Sequence, residues 1–217
     1  MVVVLRAQHG DLVVVVDSSG RAFDARVGRD GQRVSAVVQG ERASPRTRSL
    51  ELVLAQAVPK GAKMDYVIEK ATEMGVARVV PFFSERTIGV GARSGKLERW
   101  RRVAKSASAQ CGRNDVPHIE DVRSFDDLLA SFAGYDRAIV PWELAEPVPL
   151  RERLPGLLEG VRRVVVAIGP EGGLSHDEAG RADAAGGQLV SLGARILRTE
   201  TAGLVACAIV TYASGTV

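Results

Sequence analysis

Residues 168–173 read Ile-Gly-Pro-Glu-Gly-Gly and follow directly on the apolar run Arg-Arg-Val-Val-Val-Ala. Glycines and a proline at the end of an apolar strand serve one of two ends. They form a tight strand-to-helix turn for steric reasons alone, or they let backbone approach a ligand closely. The loop is neither GxGxxG nor GxxxxGK[ST], and Pro170 removes an amide that a phosphate cradle would use, so the usual dinucleotide and P-loop readings fit poorly. Ser175 and Glu178 have the spacing of a capping box, which starts a helix just after the loop. In open α/β sheets ligands sit there, beside the carboxyl ends of strands. Further on, "LGARILRTETA" at 192–202 sets Arg195, Arg198 and Glu200 between a strand ending at Leu192 and an apolar helix from about 201 to 212. The two arginines suit an anion or a phosphate. Glu200 is either a proton acceptor or an acid favoured by the dipole of the helix it opens.

These residues need a frame, and the chain alternates strands and helices to supply one. "LELVLAQAV" reads as a strand, and "KMDYVIEKATEMG" puts Met64, Val67, Ile68, Ala71 and Met74 on one helical face with Gly75 as its cap. "VARVVPFFS" is the next strand. In "KLERWRRVAKSASAQCG", Leu97, Trp100, Ala104, Ala107 and Cys111 form an apolar stripe. "RAIVPW", "RRVVVAIG" and "GQLVSLG" are short continuous apolar strands of the kind that fill a parallel sheet covered on both faces. The fold class is α/β. Before residue 50 the pattern differs: "LVVVVD" and "RAFDARV", separated by "DSSG" and "GRDGQ", suit a small β-meander or barrel, and "GERASPRTRS" resembles a linker. The expected domains are 1–48 and 49–217.

Composition sets limits. The chain has 217 residues, of which 46% are apolar and 25% charged, values that exclude a disordered or fibrous class. Cys111 and Cys207 stand alone, without a CxxC, so neither a disulfide framework nor a metal site is expected. No apolar run reaches the roughly 18 residues of a membrane span, and the start has no signal-peptide pattern; the expectation is a cytoplasmic protein. The net charge of +3 is clustered: residues 93–113 hold seven bases (Arg93, Lys96, Arg99, Arg101, Arg102, Lys105, Arg113) against the single acid Glu98. A charge run is usually a solvated face, but this imbalance favours phosphate contact. Aromatic residues at 5% do not support a platform for stacking single-stranded bases.

"IGPEGGLSHDE" at 168–178 followed by "LGARILRTETA" at 192–202 resembles the paired signature of the RsmE family, SPOUT methyltransferases that modify N3 of a uridine in 16S ribosomal RNA. "LAQAVPKGAKMDYVIEKATEMGVARVVPFFSERT", "LERWRRVAKSASAQCGRNDVP" and "GDLVVVVDSSGRAFDARV" agree with it in order and spacing. The resemblance implies a SPOUT-type trefoil-knotted parallel sheet with helices on both faces, preceded by a small PUA-like β-barrel. It implies S-adenosylmethionine as cofactor, held by three loops: Val140 and Pro141 up to Trp142; Ile168, Gly169, Pro170, Glu171, Gly172 and Gly173; and Leu192, Gly193, Ile196, Leu197, Thr199, Thr201 and Ala202. The glycines would then clear space for the cofactor. It also implies a homodimer, a small-subunit 16S rRNA substrate, no metal and no membrane. Relatives begin with a strand ahead of Val4 to Arg6, so the barrel is trimmed or the recorded start lies too late.

The imide proton of uridine N3 has to leave before or during attack. A base, or cations facing the anion that develops on O2 and O4, meets that demand. Glu200 is the candidate base, with Arg195 and Arg198 as the cations. The resemblance extends RNA contact to Arg6, Arg21, Arg26, Lys60, Lys63, Lys70, Arg86, Arg101, Arg102, Lys105 and Arg113. Arg29 and Arg33 add to the basic character of the first domain. Plainer roles stand beside these. Glu85 and Arg86 pair with each other, Lys70 and Glu73 form the solvated side of a helix, and His9, His118 and His176 do no chemistry. Two other functions fit the motifs less closely: a ribose 2′-O methyltransferase of the same superfamily, and a non-catalytic RNA-binding assembly factor.

Overall fold

The computed structural model describes residues 7–17, 21–42, 50–87, 95–145 and 150–215, apart from the side chains of Arg151 and Pro155. Arg6, Arg93 and the chain start at Val4 to Arg6 lie outside the described residues. The chain divides into two compact units, Met1–Thr47 and Arg48–Val217.

In the first unit, β1 (Leu12–Val16), β2 (Ala22–Asp30) and β3 (Arg33–Arg42) form an antiparallel sheet in that order. Gly31 (φ 56°) makes the two-residue turn between β2 and β3, where a left-handed residue matches the twist of the strands. Its basic residues are partly engaged: Arg21 pairs with Asp17 at 2.9 Å, and Arg26 donates to the Gly10 carbonyl at 2.7 Å. His9 accepts the Arg29 amide at 3.1 Å, a structural duty.

The second unit runs β4 (Glu51–Ala57), α1 (Lys63–Glu73), β5 (Arg78–Phe83), α2 (Lys96–Cys111), β6 (His118–Ile119), β7 (Arg123–Ser124), α3 (Phe125–Ser131), β8 (Arg137–Pro141), α4 (Leu150–Leu158), β9 (Arg163–Ile168), α5 (His176–Ala184), β10 (Gly187–Val190) and α6 (Thr199–Ala213). Its strands are all parallel, in the order β10-β8-β9-β4-β5-β6, with β7 also on β5. Alternate residues of β4 show why the strands are apolar throughout. Leu52 and Leu54 face a core with Met64, Ile68, Trp100, Leu154 and Cys207, whereas Val53 and Ala55 face one with Phe125, Leu128, Phe132 and Ala182. A strand buried on both sides has no polar face to show. Among the described residues no helix is long and apolar enough to cross a membrane.

α1 buries the predicted Met64, Val67, Ile68 and Ala71. It closes at Gly75 (φ 86°), whose amide donates to Thr72 O at 3.1 Å while Val76 N donates to Ala71 O at 3.0 Å. This is the paired 5→2 and 6→1 closure that a left-handed residue permits. Arg113 completes it, donating from Nη1 to Thr72 O (2.6 Å) and Val76 O (3.0 Å) and pairing with Asp115 at 2.8 Å. The sequence suggests a phosphate contact for Arg113; in the structure its side chain is 10% exposed and spends its donors on a helix end. Arg113→Ala is expected to lower stability by about 2 kcal/mol, read by urea unfolding, because two carbonyls lose a charged donor. A change within about 0.5 kcal/mol, the size of an ordinary surface substitution, rejects that role.

α2 buries Trp100, Ala104 and Ala107, but Cys111 is exposed where the stripe was expected to continue. The stripe ends with the helix, since Gly112 (φ 76°) turns the chain away at that residue. Cys207 is fully buried and burial pushes its thiol up to about 12, which leaves it inert at neutral pH.

Ahead of β8, Asp136 Oδ2 accepts the amides of Arg162 and Arg163, both at 2.8 Å. These two bonds hold its carboxyl below the ordinary value of 3.8. The folded state therefore binds this proton less tightly than the unfolded chain, so the stabilisation is complete above that value and is lost as pH falls through the lower, folded one. Asp136→Asn is expected to lower the melting temperature at pH 7, with the gap to wild type closing in strong acid. A gap that stays constant with pH rules out the linkage.

Candidate active site

The loop after β9 is tied down along its length. Thr199 Oγ1 donates to Gly169 O at 2.6 Å. The Glu171 carboxylate accepts the Lys60 amide at 3.0 Å and the Lys63 ammonium at 3.1 Å. Arg86 Nη1 donates to Gly172 O at 2.8 Å, and Trp142 Nε1 to Leu174 O at 3.2 Å. The loop then enters α5 through the predicted capping box, with Ser175 Oγ accepting Glu178 N (3.2 Å) and Glu178 accepting Ser175 N (3.0 Å).

The glycines answer first to the loop's own packing. A Cβ on Gly169 would lie 3.0 Å from Leu174 N and 3.2 Å from Gly173 C, both backbone atoms. Gly173 is left-handed (φ 67°), and a Cβ there would collide with the Glu143 carboxylate. Only at Gly172 would a Cβ find an ordinary contact, 3.5 Å from Arg86 Cδ. At Gly169 and Gly173 protein atoms alone therefore demand glycine, alongside the room for a cofactor that the resemblance implies.

Across from the loop, α6 begins at Thr199, two residues before the expected start, with Arg198 as N-cap. This places Glu200 in the first helical turn. Its side chain is 14% exposed, and Oε2 is buried, accepts no hydrogen bond from a described residue and has Lys63 Nζ at 3.5 Å. Lys63 thus bridges Glu171 of the loop and Glu200 of the helix; the hydrogen bond it donates to Glu171, opposed by burial, raises its pKa. Burial alone would raise Glu171, but its own amide, the Lys60 amide and Lys63 outweigh that and hold it below the usual carboxylate range. Arg195 and Arg198 are exposed, and neither makes an ion pair with a described residue.

A pocket of about 130 Å³ opens between the β8 and β10 loops, lined by Pro141, Trp142, Glu143, Ser191, Leu192, Gly193, Ala194, Arg195, Ile196, Leu197 and Ala202. Six of the predicted cofactor residues, Pro141, Leu192, Gly193, Ile196, Leu197 and Ala202, meet there with Arg195. Val140, Ile168 and Thr199 lie buried behind it (1%, 3% and 4% exposed), and Thr201 points to solvent. Residues 169–173 do not line this pocket; Trp142 and Glu143 connect the two. His176 packs its ring edge-on against Trp142, centroids 5.3 Å apart.

Two residues of this region escape the sequence. Glu143 follows a strand in an ordinary polar loop and carries no signal. Gln56 does carry one: it is the single polar residue in Leu52–Ala57, and it donates to Thr199 Oγ1 at 2.8 Å while fully buried.

The expected RNA contacts divide. Lys63 and Arg86 are engaged on the loop, and Lys60 reaches it through its amide. Arg86 therefore does not pair with Glu85, whose amide donates to Glu178 at 2.8 Å. Lys70 is held by Glu69 (2.8 Å) and Glu73 (2.7 Å), which raise its pKa. On α2, Arg101 pairs with Glu98 at 2.8 Å, Arg99 with Asp65, and Arg102 reaches Glu98 O; Lys105 is exposed and unpaired among the described residues. Among those residues no cluster of three His, Cys, Asp or Glu side chains is placed to hold a metal ion.

A two-faced parallel sheet, with a glycine-rich loop and a helix start laced together at its carboxyl edge, is the frame of an RNA methyltransferase domain, and residues 46–211 match the family model of that description. Over 96% of its length the chain is 31% identical to the ribosomal RNA small subunit methyltransferase E of Bacillus subtilis, covering 84% of that protein. The protein of the same name from Synechocystis is 34% identical, with 94% of this chain and 67% of that one aligned. The crystal structure of a ribosomal RNA small subunit methyltransferase E from Neisseria gonorrhoeae bound to S-adenosyl methionine superposes with a TM-score of 0.84 at 31% identity, over 97% of this chain and 86% of that one. The chain belongs to the ribosomal RNA small subunit methyltransferase E family.

Proposed function

We propose that the protein methylates N3 of a specific uridine in the 16S RNA of the small ribosomal subunit, with S-adenosylmethionine as donor. The observation that carries this is the lacing of the Gly169–Gly173 loop to the first turn of α6, beside a pocket lined by both apolar and charged groups. Pro141, Leu192, Ile196, Leu197 and Ala202 supply apolar surface for an adenosyl group. Glu143 and Arg195 supply one charge of each sign for an amino-acid moiety and a sulfonium. When bound, the cofactor provides a methyl group already activated on sulfur.

The remaining demands fall on the chain. Glu200 takes the imide proton, Lys63 holds its carboxylate toward the loop, and Arg195 and Arg198 face the charge that develops on O2 and O4. Lys105, Arg101, Arg102 and the first unit, read as a PUA-like module with Arg21 and Arg26, hold RNA phosphates. The loops at 140–142, 168–173 and 192–202 are the threads of a trefoil knot in a domain covering 49–217. The protein works in the cytoplasm.

The test is methylation with labelled S-adenosylmethionine of small subunits lacking the uridine methyl, followed by mass spectrometry of the nucleosides. 3-Methyluridine at one site is expected; label in a ribose or another base rejects the N3 assignment.

A homodimer belongs to the same proposal. α6 leaves Ala208 and Tyr212 (79% exposed) on one apolar side, with Val205 and Ile209 half-buried beside them. Light scattering at low micromolar concentration is expected to give twice the chain mass, and a clean monomer overturns it.

A further inference from the structure

Gln56 stands near the end of β4, opposite Ile168 of β9, with no exposed surface. Its Nε2 donates to Thr199 Oγ1 at 2.8 Å and to Ala57 O at 3.1 Å, and Thr199 Oγ1 donates in turn to Gly169 O at 2.6 Å. The direction is fixed by chemistry. A carbonyl only accepts, so the single hydroxyl proton of Thr199 goes to Gly169 and Gln56 must present its NH2 group. The other end of the amide, Oε1, is buried and accepts no hydrogen bond from a described residue. Gly203 makes room for it, since a Cβ there would lie 2.9 Å from Oε1.

Stability does not account for this chain of polar atoms. Apolar residues of the same shape at both positions would remove the stranded Oε1, with only the Gly169 and Ala57 carbonyls losing a donor, and such double replacements can be nearly neutral. What the polar chain provides is a defined end point on the first carbonyl of the glycine-rich loop. The loop's other ties come from Lys60, Lys63, Arg86 and Trp142, all partly or fully exposed. Among the described residues the Gln56–Thr199 tie alone is inside the core.

We propose that Gln56 is a positioning residue for the cofactor loop: acting through the Thr199 hydroxyl, it sets the place of Gly169 relative to the first turn of α6. The proposal rests on the assignment of residues 169–173 to S-adenosylmethionine.

Two variants test it. Gln56→Met keeps the length of the side chain and removes the donor; Gln56→Met/Thr199→Val removes both polar groups, so that the Gly169 and Ala57 carbonyls each lose one side-chain donor. Labelled S-adenosylmethionine in equilibrium dialysis, with melting curves alongside, gives affinity and stability separately. The expected result is an affinity about tenfold weaker in both, from the loss of one oriented hydrogen bond, with the KM for the cofactor raised more than kcat is lowered. The double variant melts no lower than the single one. Affinity that recovers as the melting temperature recovers, or that equals wild type in both variants, overturns the proposal. Wild-type protein that holds no S-adenosylmethionine overturns instead the assignment beneath it.

Discussion

Glu200→Gln is expected to slow methyl transfer by about 10²-fold or more while cofactor binding and melting temperature stay close to wild type. The amide keeps the shape of the side chain and removes its capacity to take a proton along with its charge toward Lys63, a surface-type pair worth little stability, whereas a positioned general base contributes roughly 10²–10⁴ in rate. The geometry supports the role: Oε2 is buried and accepts no hydrogen bond from a described residue, with the Lys63 ammonium at 3.5 Å. The competing account, an acid placed for the helix dipole, predicts a different pattern. It assigns Glu200 only about 0.3–1 kcal/mol of stability and no part in the rate. Single-turnover methylation alongside thermal melting separates the two; an unchanged rate with a lowered melting temperature removes Glu200 from the chemistry.

Gly173→Val is expected to weaken cofactor binding by about 10²-fold and to destabilise the domain as well. The left-handed backbone at φ 67° costs a residue with a Cβ about 1–2 kcal/mol, and a β-branched side chain more. The new atoms also displace the Glu143 carboxylate, which lines the pocket, so strain and loss of the site arrive together. Gly172→Ala is the control, because its Cβ meets Arg86 at an ordinary 3.5 Å and the backbone there is not left-handed. Calorimetric titration with S-adenosylmethionine reads both. Equal losses in the two variants mean that the ligand, and not the loop, makes the demand for glycine.

Sequence periodicity alone was enough for the parallel sheet, the apolar face of α1 and the cap at Gly75, because each follows from interactions within a few residues or from burial on both faces of a strand. The capping box of α5 was legible for the same reason. Cys111 departs from the stripe because the periodicity of a helix does not say where the neighbouring surface stops.

The pairing of charges was not legible. Seven basic residues in one segment look alike in a sequence, yet Arg113 closes a helix end far back in the chain, Arg99 and Arg101 find acids, and Lys105 is left exposed. Those outcomes depend on which element packs alongside, and hydrogen bonds at 2.6–3.0 Å such as Arg113's tolerate little displacement. The residue types of the site, its glycine loop and the acid and arginines before α6 were present as motifs. Their mutual geometry was not: Gln56 and Thr199 are 143 residues apart, and Glu143 meets Gly173 only because the crossing order of β8, β9 and β4 brings their ends together. Local chemistry is written in adjacent residues, whereas a buried polar contact exists only once non-local packing has excluded water around it.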